Sequence, residues 1–350
     1  MQIALTGDVM LGRLVDQQVI RDPAVRPASL WGDVLPIMRG ADLRCVNLEC
    51  TISSVGREWH PHTKAFHFRA HPRAIDFLRA AGIDAVTLAN NHILDYGVEA
   101  LADCLALLDR AGIKHVGAGM TSRSALQPCY LQSPMGRVAV VALTDNEPEW
   151  EATEKQAGVA YIAYDERGLT QPSRRLVAQV VHGAKRQAPW LIVSAHVGPN
   201  WGAPSAGMRA LAHDLIDLGA DLYWGHSNHT PQGIERYRGK IILYSSGDFI
   251  DDYMVDEDER NDLSFLFVCE AERGREIGLR LYPIRIEDCR VRRAVGEDER
   301  VLQKTMQEKC AVFGTTLSFT DGVGCSGRGS AKVCRALSGL AGAMTAVRPP

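Results

Sequence analysis

No stretch of this chain is strongly basic, none is apolar for long, and none pairs cysteines in a CxxC motif. Each absence removes a class of function. A phosphate-backbone binder concentrates Lys and Arg in one tract; here 39 Lys and Arg stand against 42 Asp and Glu, for a net charge of -3. Nucleic acid is therefore not an expected partner. No window approaches the roughly 20 apolar residues that cross a bilayer. The opening run MQIALTGDVML enters a Gly-Asp turn too early for the apolar segment of a secretory signal. The chain reads as cytoplasmic, without a membrane anchor. Nine scattered cysteines, an odd number, read as reduced thiols rather than a disulfide framework or a thiolate zinc site.

What remains is an ordinary globular composition. The 350 residues are 46% hydrophobic and 23% charged, enough to bury a large core. Short apolar runs alternate with amphipathic ones, which predicts an α/β fold. The strand-like runs are Gln2–Thr6, Leu43–Val46, Ala85–Leu88, Val138–Leu143, Leu191–Ser194, Asp221–Trp224, Gly233–Tyr237 and Lys240–Tyr244. Helical spacing covers Pro72–Ala81, Val98–Ala111, Gln171–Arg186 and Ala206–Leu218, with Gly82, Gly112 and Gly219 as C-terminal stops. From Ser264 the pattern becomes an antiparallel hairpin, Ser264–Ala271 with Ile277–Ile286, and then a helix over Glu297–Ala311. The expected organisation is a main domain over 1–255, a hairpin and helix over 256–319 completing it, and a loosely held tail over 320–350.

Polar residues collect where strands end. The segments are Thr6-Gly7-Asp8, Asn47-Leu48-Glu49, Asn90-Asn91-His92 with Asp95, His196-Val197-Gly198, and Gly225-His226-Ser227-Asn228-His229. A Gly-Asp after a strand is ordinarily a turn, and a lone Glu there ordinarily a cap or a solvated residue. Five such segments at the carboxyl ends of strands form a binding crevice in an open α/β sheet. Asp8, Glu49, Asn91, His196, His226 and His229 supply oxygen and nitrogen ligands suited to a divalent ion, Mn, Zn, Fe, Mg or Ca. Asp248, Asp251 and Asp252 follow as carboxylates to orient the imidazoles. His60, His62, His67 and His71 fall in a proline-containing loop and read as loop residues. Lys64, Phe68 and Arg69 of that loop are candidate substrate contacts, as are Asn200 and Trp201 beyond His196.

GDVMLGR, NLEC, LANNHILDYG, GADLYWGHSNHTPQGIERY and ILYSSGDF together resemble the poly-γ-glutamate capsule-synthesis (CapA) family over residues 1 to about 255. The resemblance implies a calcineurin-like metallophosphatase fold, a two-sheet β-sandwich flanked by helices. It implies one or two metal ions among the six residues named above, with His92 donating a proton to the leaving group. Where wider metallophosphatases carry Asp-x-His, this chain has Met10, which leaves one metal position a ligand short. The implied activity is hydrolysis or transfer at a peptide or γ-glutamyl amide, with a peptide or anionic polymer as substrate. A second expectation is a peptide epimerase, in which His92 with Asp95 or Asp8, and His229 with Asp248 or Asp251, exchange protons at a Cα centre. Phosphoesterase activity and non-catalytic polymer binding are the remaining alternatives.

Overall fold

A computed structural model describes residues 1–60, 64–272 and 274–326. The architecture is mixed α/β with two large sheets. In the first, of ten strands, Gln2–Val9 lies centrally, with Leu43–Leu48, Ala85–Thr87 and Lys114–Val116 following in parallel on one side. On its other side Leu263–Glu270 and Gly278–Glu287 pair antiparallel, forming the expected hairpin and extending the same sheet. The second sheet, of six strands, has a parallel centre of Gly136–Thr144, Trp190–His196, Leu222–His226 and Lys240–Leu243. Its edges, Ile234–Tyr237 and Cys129–Ser133, run antiparallel.

Strand periodicity decides what lies between the sheets. Ile3, Leu5, Leu43 and Cys45 of the first sheet share one buried cluster with Val138, Val140, Ile192, Leu222 and Trp224 of the second. The intervening residues point outward under helices. Ala4, Val46 and Val86 pack with Phe77, Leu78 and Leu101, whereas Val141, Val193 and Tyr223 pack with Val177, Val181 and Leu211. The helices span Ala74–Ala81, Gly97–Ala111, Gln171–Gln187, Ala206–Leu218 and Glu297–Ala311. Gly82 and Gly112 close the first two at φ of 71° and 72°, a conformation that a Cβ disfavours.

Of the stretch from Thr320 that reads as loosely held, Val323–Ser326 pairs with Leu279–Leu281 in the first sheet. Residues 327–350 lie outside the described residues. Among the described residues seven cysteines are free and buried, where a thiol packs as a small hydrophobe. Cys325 departs from the expected thiol and is disulfide-bonded. Among the described residues no helix is long and apolar enough to cross a membrane.

Candidate metal centre

Parallel register carries the polar segments to one place. Asp8 stands opposite Asn47 on one neighbouring strand and Asp248 on the other, and His196 stands opposite His226. The first strand continues past its apolar part because its end is paired with Asp248–Ile250, and the Asp8 amide donates to Gly247 O at 2.9 Å. That crossing leaves no room for a side chain. A Cβ on Gly7 would sit 2.0 Å from the Gly247 carbonyl oxygen.

Asp8, Glu49 and His196 each offer a ligand atom, and these atoms lie within 4.8 Å of one another. All three are buried. His196 stands 3.9 Å from Asp8 Oδ2 through Nδ1 and 3.7 Å from Glu49 Oε1 through Nε2. His226 Nδ1 pairs with Asp8 Oδ1 at 2.8 Å, while its Nε2 is buried with no hydrogen-bond partner. Asn91 Oδ1 and one oxygen each of Asp248 and Asp251 are likewise buried without partners. Orphaned buried polar atoms are costly unless an ion or water meets them. This is the donor set that a borderline or hard divalent ion takes, and the Asp8, Glu49 and His196 cluster could hold one.

Electrostatics agree with that use. Burial raises the Asp8 carboxyl, but the His226 and His196 imidazoles and the Asn47 amide outweigh it and hold the group at about 2. Burial lowers His196 to about 3 against the pull of Asp8, leaving a neutral imidazole, the form that ligates. Glu49 is pushed well up, by burial first and then by Asp8. Asp248 is raised by burial and then by Asp8, and Asp251 by burial and then by Asp248. Carboxylates crowded in this way lack positive charge.

Two histidine–carboxylate pairs flank the cluster. His92 Nδ1 lies 2.6 Å from Asp95 Oδ2, and His229 Nδ1 lies 3.0 Å from Asp248 Oδ1. A carboxylate only accepts, so each ring donates from Nδ1 and keeps Nε2 as a proton acceptor. Burial also lowers the His92 pKa, against Asp95. The Asn90 side chain accepts from the His92 amide at 3.0 Å and fixes the turn, while the Phe68 ring stacks on the imidazole at 3.8 Å. His92 and His229 both line one cleft of about 460 Å³, together with Glu49, Asn91 and His196.

Residues 2–253 match the family model described as bacterial capsule synthesis protein PGA_cap. The chain belongs to that family. A probable polyglutamine synthesis accessory protein of Mycobacterium tuberculosis is 35% identical over 89% of this chain and 92% of its own length. The PGA biosynthesis protein CapA of Bacillus subtilis is 27% identical, over 71% of this chain and 63% of that protein. Among solved structures, the anchor in the inner membrane complex of Plasmodium superposes with a TM-score of 0.38 at 12% identity, over 81% and 84% of the two chains. That likeness is too loose to bear on the fold.

In this PGA_cap member the expected substrate contacts separate. Phe68, Asn200 and Trp201 line the cleft, and so does Lys64. Lys64, however, is spent on protein groups: Asp95 Oδ1 at 3.1 Å, Glu147 Oε1 at 2.8 Å and the Asn91 carbonyl. Arg69 lies outside the cleft lining, donates to the Val55 carbonyl at 3.2 Å and covers the Tyr96 ring at 3.9 Å. Asp251 accepts from the Tyr253 amide at 2.8 Å, and Asp252 pairs with Arg13 at 3.4 Å. His67 and His71 make loop contacts, His67 at the Trp59 carbonyl and His71 with the Arg73 amide. His62 lies outside the described residues.

Three functional contacts are absent from the sequence reading. Asn47 donates to Asp8 at 2.8 Å and lies 3.3 Å from His196, the Tyr253 hydroxyl donates to Glu49 at 3.1 Å, and Glu147 holds Lys64. Only Asn47 carried a signal, as a polar residue between the apolar Val46 and Leu48 of a buried strand.

Proposed function

We propose that this chain is a metal-dependent enzyme performing acid/base chemistry on a peptide or γ-glutamyl-type substrate, with amide hydrolysis or transfer as its reaction. The observation that carries this is the opening of two histidine–carboxylate pairs onto the cleft that also holds Glu49, Asn91 and His196. The printed names of the relatives, which refer to polyglutamine and PGA synthesis, support a glutamate-based chain as the substrate class. Two face-packed sheets with helices outside, and ligands at parallel strand ends, support the calcineurin-like metallophosphatase reading of the fold. Residues 1–319 are read as one unit on the same grounds, since the C-terminal hairpin joins the first strand.

Asp8, Glu49, Asn91, His196, His226 and His229 are the residues that would hold the ion. The chemistry an ion held there would supply is polarisation of a carbonyl oxygen and compensation of the charge developing on it. Asp95 fixes the tautomer of His92, whose Nε2 removes a proton and returns it to the leaving nitrogen. Asp248 fixes the tautomer of His229 in the same way, so that its Nε2 faces the ion.

One observation favours a second reading. Two separate pairs are what inversion of a Cα centre requires, because one group takes the proton and the other returns it; in this reading His229 leaves the ligand set and keeps its Nε2 for the proton. Incubating linear and γ-glutamyl peptides with the protein and Mn²⁺ in deuterated water separates the readings. New chain termini or a transferred acyl group support hydrolysis or transfer. Deuterium at Cα with unchanged length supports epimerisation. Metal-dependent turnover of an aryl phosphate alone, or binding with no turnover, would overturn both.

A further inference from the structure

We propose that Arg13 anchors a single substrate carboxylate, and that the substrate is a peptide end carrying that carboxylate beside an apolar side chain. The proposal rests on the peptide branch of the reading above and sets its γ-glutamyl branch aside. Among the described residues lining the cleft, the permanent cations are Arg13 and Lys64. Lys64 is occupied by Asp95, Glu147 and the Asn91 carbonyl. Arg13 makes one ion contact, from Nε to Asp252 at 3.4 Å, and its side chain is 36% exposed. The terminal nitrogens therefore remain available, and a guanidinium fork binds a carboxylate with two parallel hydrogen bonds.

The group is held ready. Its carbon lies 5.4 Å from the Phe66 ring, 5.9 Å from Phe68 and 6.0 Å from Tyr253. The Arg13 backbone sits at a φ of 50°, uncommon for a residue with a Cβ and often retained where a side chain must be aimed. The same Asp252 accepts from the Leu14 amide at 2.8 Å and so fixes the turn.

Phe68 lies between this anchor and His92, stacked on the imidazole at 3.8 Å. Arg13 is thus at most about 10 Å from the His92 ring, with the two contacts laid end to end. An extended residue spans about 3.5 Å. A carboxylate on Arg13 therefore puts a bond one or two residues away within reach of His92.

The surroundings select against a polyanion. Glu49 and Glu147 share the cleft, and a divalent ion held by Asp8 and Glu49 would be largely neutralised by those same ligands. A second substrate carboxylate would find no free guanidinium or ammonium among the described lining residues. The rim is apolar instead: Phe66, Trp201 and Met254 are 58%, 39% and 91% exposed. Such a rim suits an apolar side chain next to the bound end.

Calorimetric titration with N-acetyl-phenylalanine, its amide and tri-γ-glutamate, with and without Mn²⁺, tests this. The acid should bind about tenfold tighter than the amide, as charge-assisted pairing implies. Arg13→Gln should reduce that preference to within about twofold, with Arg13→Lys intermediate because charge survives without the fork. Tri-γ-glutamate should bind no tighter than the acid. Equal binding of acid and amide, no binding of the acid, a preference that survives in Arg13→Gln, or a tenfold advantage for tri-γ-glutamate each overturn the proposal. Should Arg13→Gln not fold, the wild-type and Arg13→Lys ratios decide. Because the readout is binding, an acid preference in a protein that turns over no peptide would sink the enzymatic reading and leave this one standing.

Discussion

His92 meets Asp95 at 2.6 Å and His229 meets Asp248 at 3.0 Å, yet only the first carboxylate has a fixed cation beside it. Asp95 takes the Lys64 ammonium on one oxygen and the Phe68 amide on the other, at 2.6 Å. Asp248 has one oxygen with no partner, and burial followed by Asp8 pushes its pKa well up. One pair therefore has its charge compensated within the protein, although Asp95 Oδ1, like one oxygen of Asp248, makes no hydrogen bond. The other lies in a group of carboxylates that remains short of positive charge until a cation arrives. The difference separates a histidine–carboxylate pair compensated by the fold from one left among uncompensated carboxylates.

Removing the ring of either pair tests the chemistry they share and has the largest expected effect. His92→Ala and His229→Ala should each lower kcat by about 10²- to 10⁴-fold, with circular dichroism unchanged. Loss from only one of them would confine proton transfer to that pair. Next comes the cation. Lys64→Met leaves Asp95 and Glu147 uncompensated in a buried place and should cost about 3 kcal/mol in denaturant unfolding. Asp248→Asn in metal-free protein should stay within about 1 kcal/mol of wild type, because it removes a charge already opposed by Asp8. Equal losses would erase the contrast.

A divalent ion should stabilise the wild type by about 2.7 kcal/mol at a hundredfold excess over Kd. Thermal unfolding of Asp8→Ala should not respond to it. A metal-insensitive wild type would remove the centre from consideration. The smallest effect belongs to Arg69→Ala, which loses a cation–π contact and should cost about 0.5–1 kcal/mol of stability. Its kcat/KM should match the wild type, whereas a fall would return Arg69 to the substrate.

Legibility in the sequence followed locality. The helices Ala206–Leu218 and Glu297–Ala311 appear over the very spans that their apolar spacing and stops predict. Asp95 is legible as the partner of His92 because both sit in one turn, three residues apart. Cys129–Ser133 was passed over because a short antiparallel edge strand has no strong period of its own. Lys64 read as a free cation because nothing local reveals that Glu147, 83 residues away, shares it.

Local patterns suffice for the α/β alternation, the strand ends on which polar residues stand, and the membership of the chain in the PGA_cap family. These follow from period, punctuation and short motifs, all properties of neighbouring residues. The tertiary structure decided which of those polar groups meet. Register set Asp8 beside Asn47 and Asp248, the packing of one sheet on the other carried His226 to Asp8, and loop packing gave Lys64 to the protein and left Arg13 to the cleft. Charge pairing depends on distance and burial, and between residues far apart in the chain only the folded arrangement fixes both.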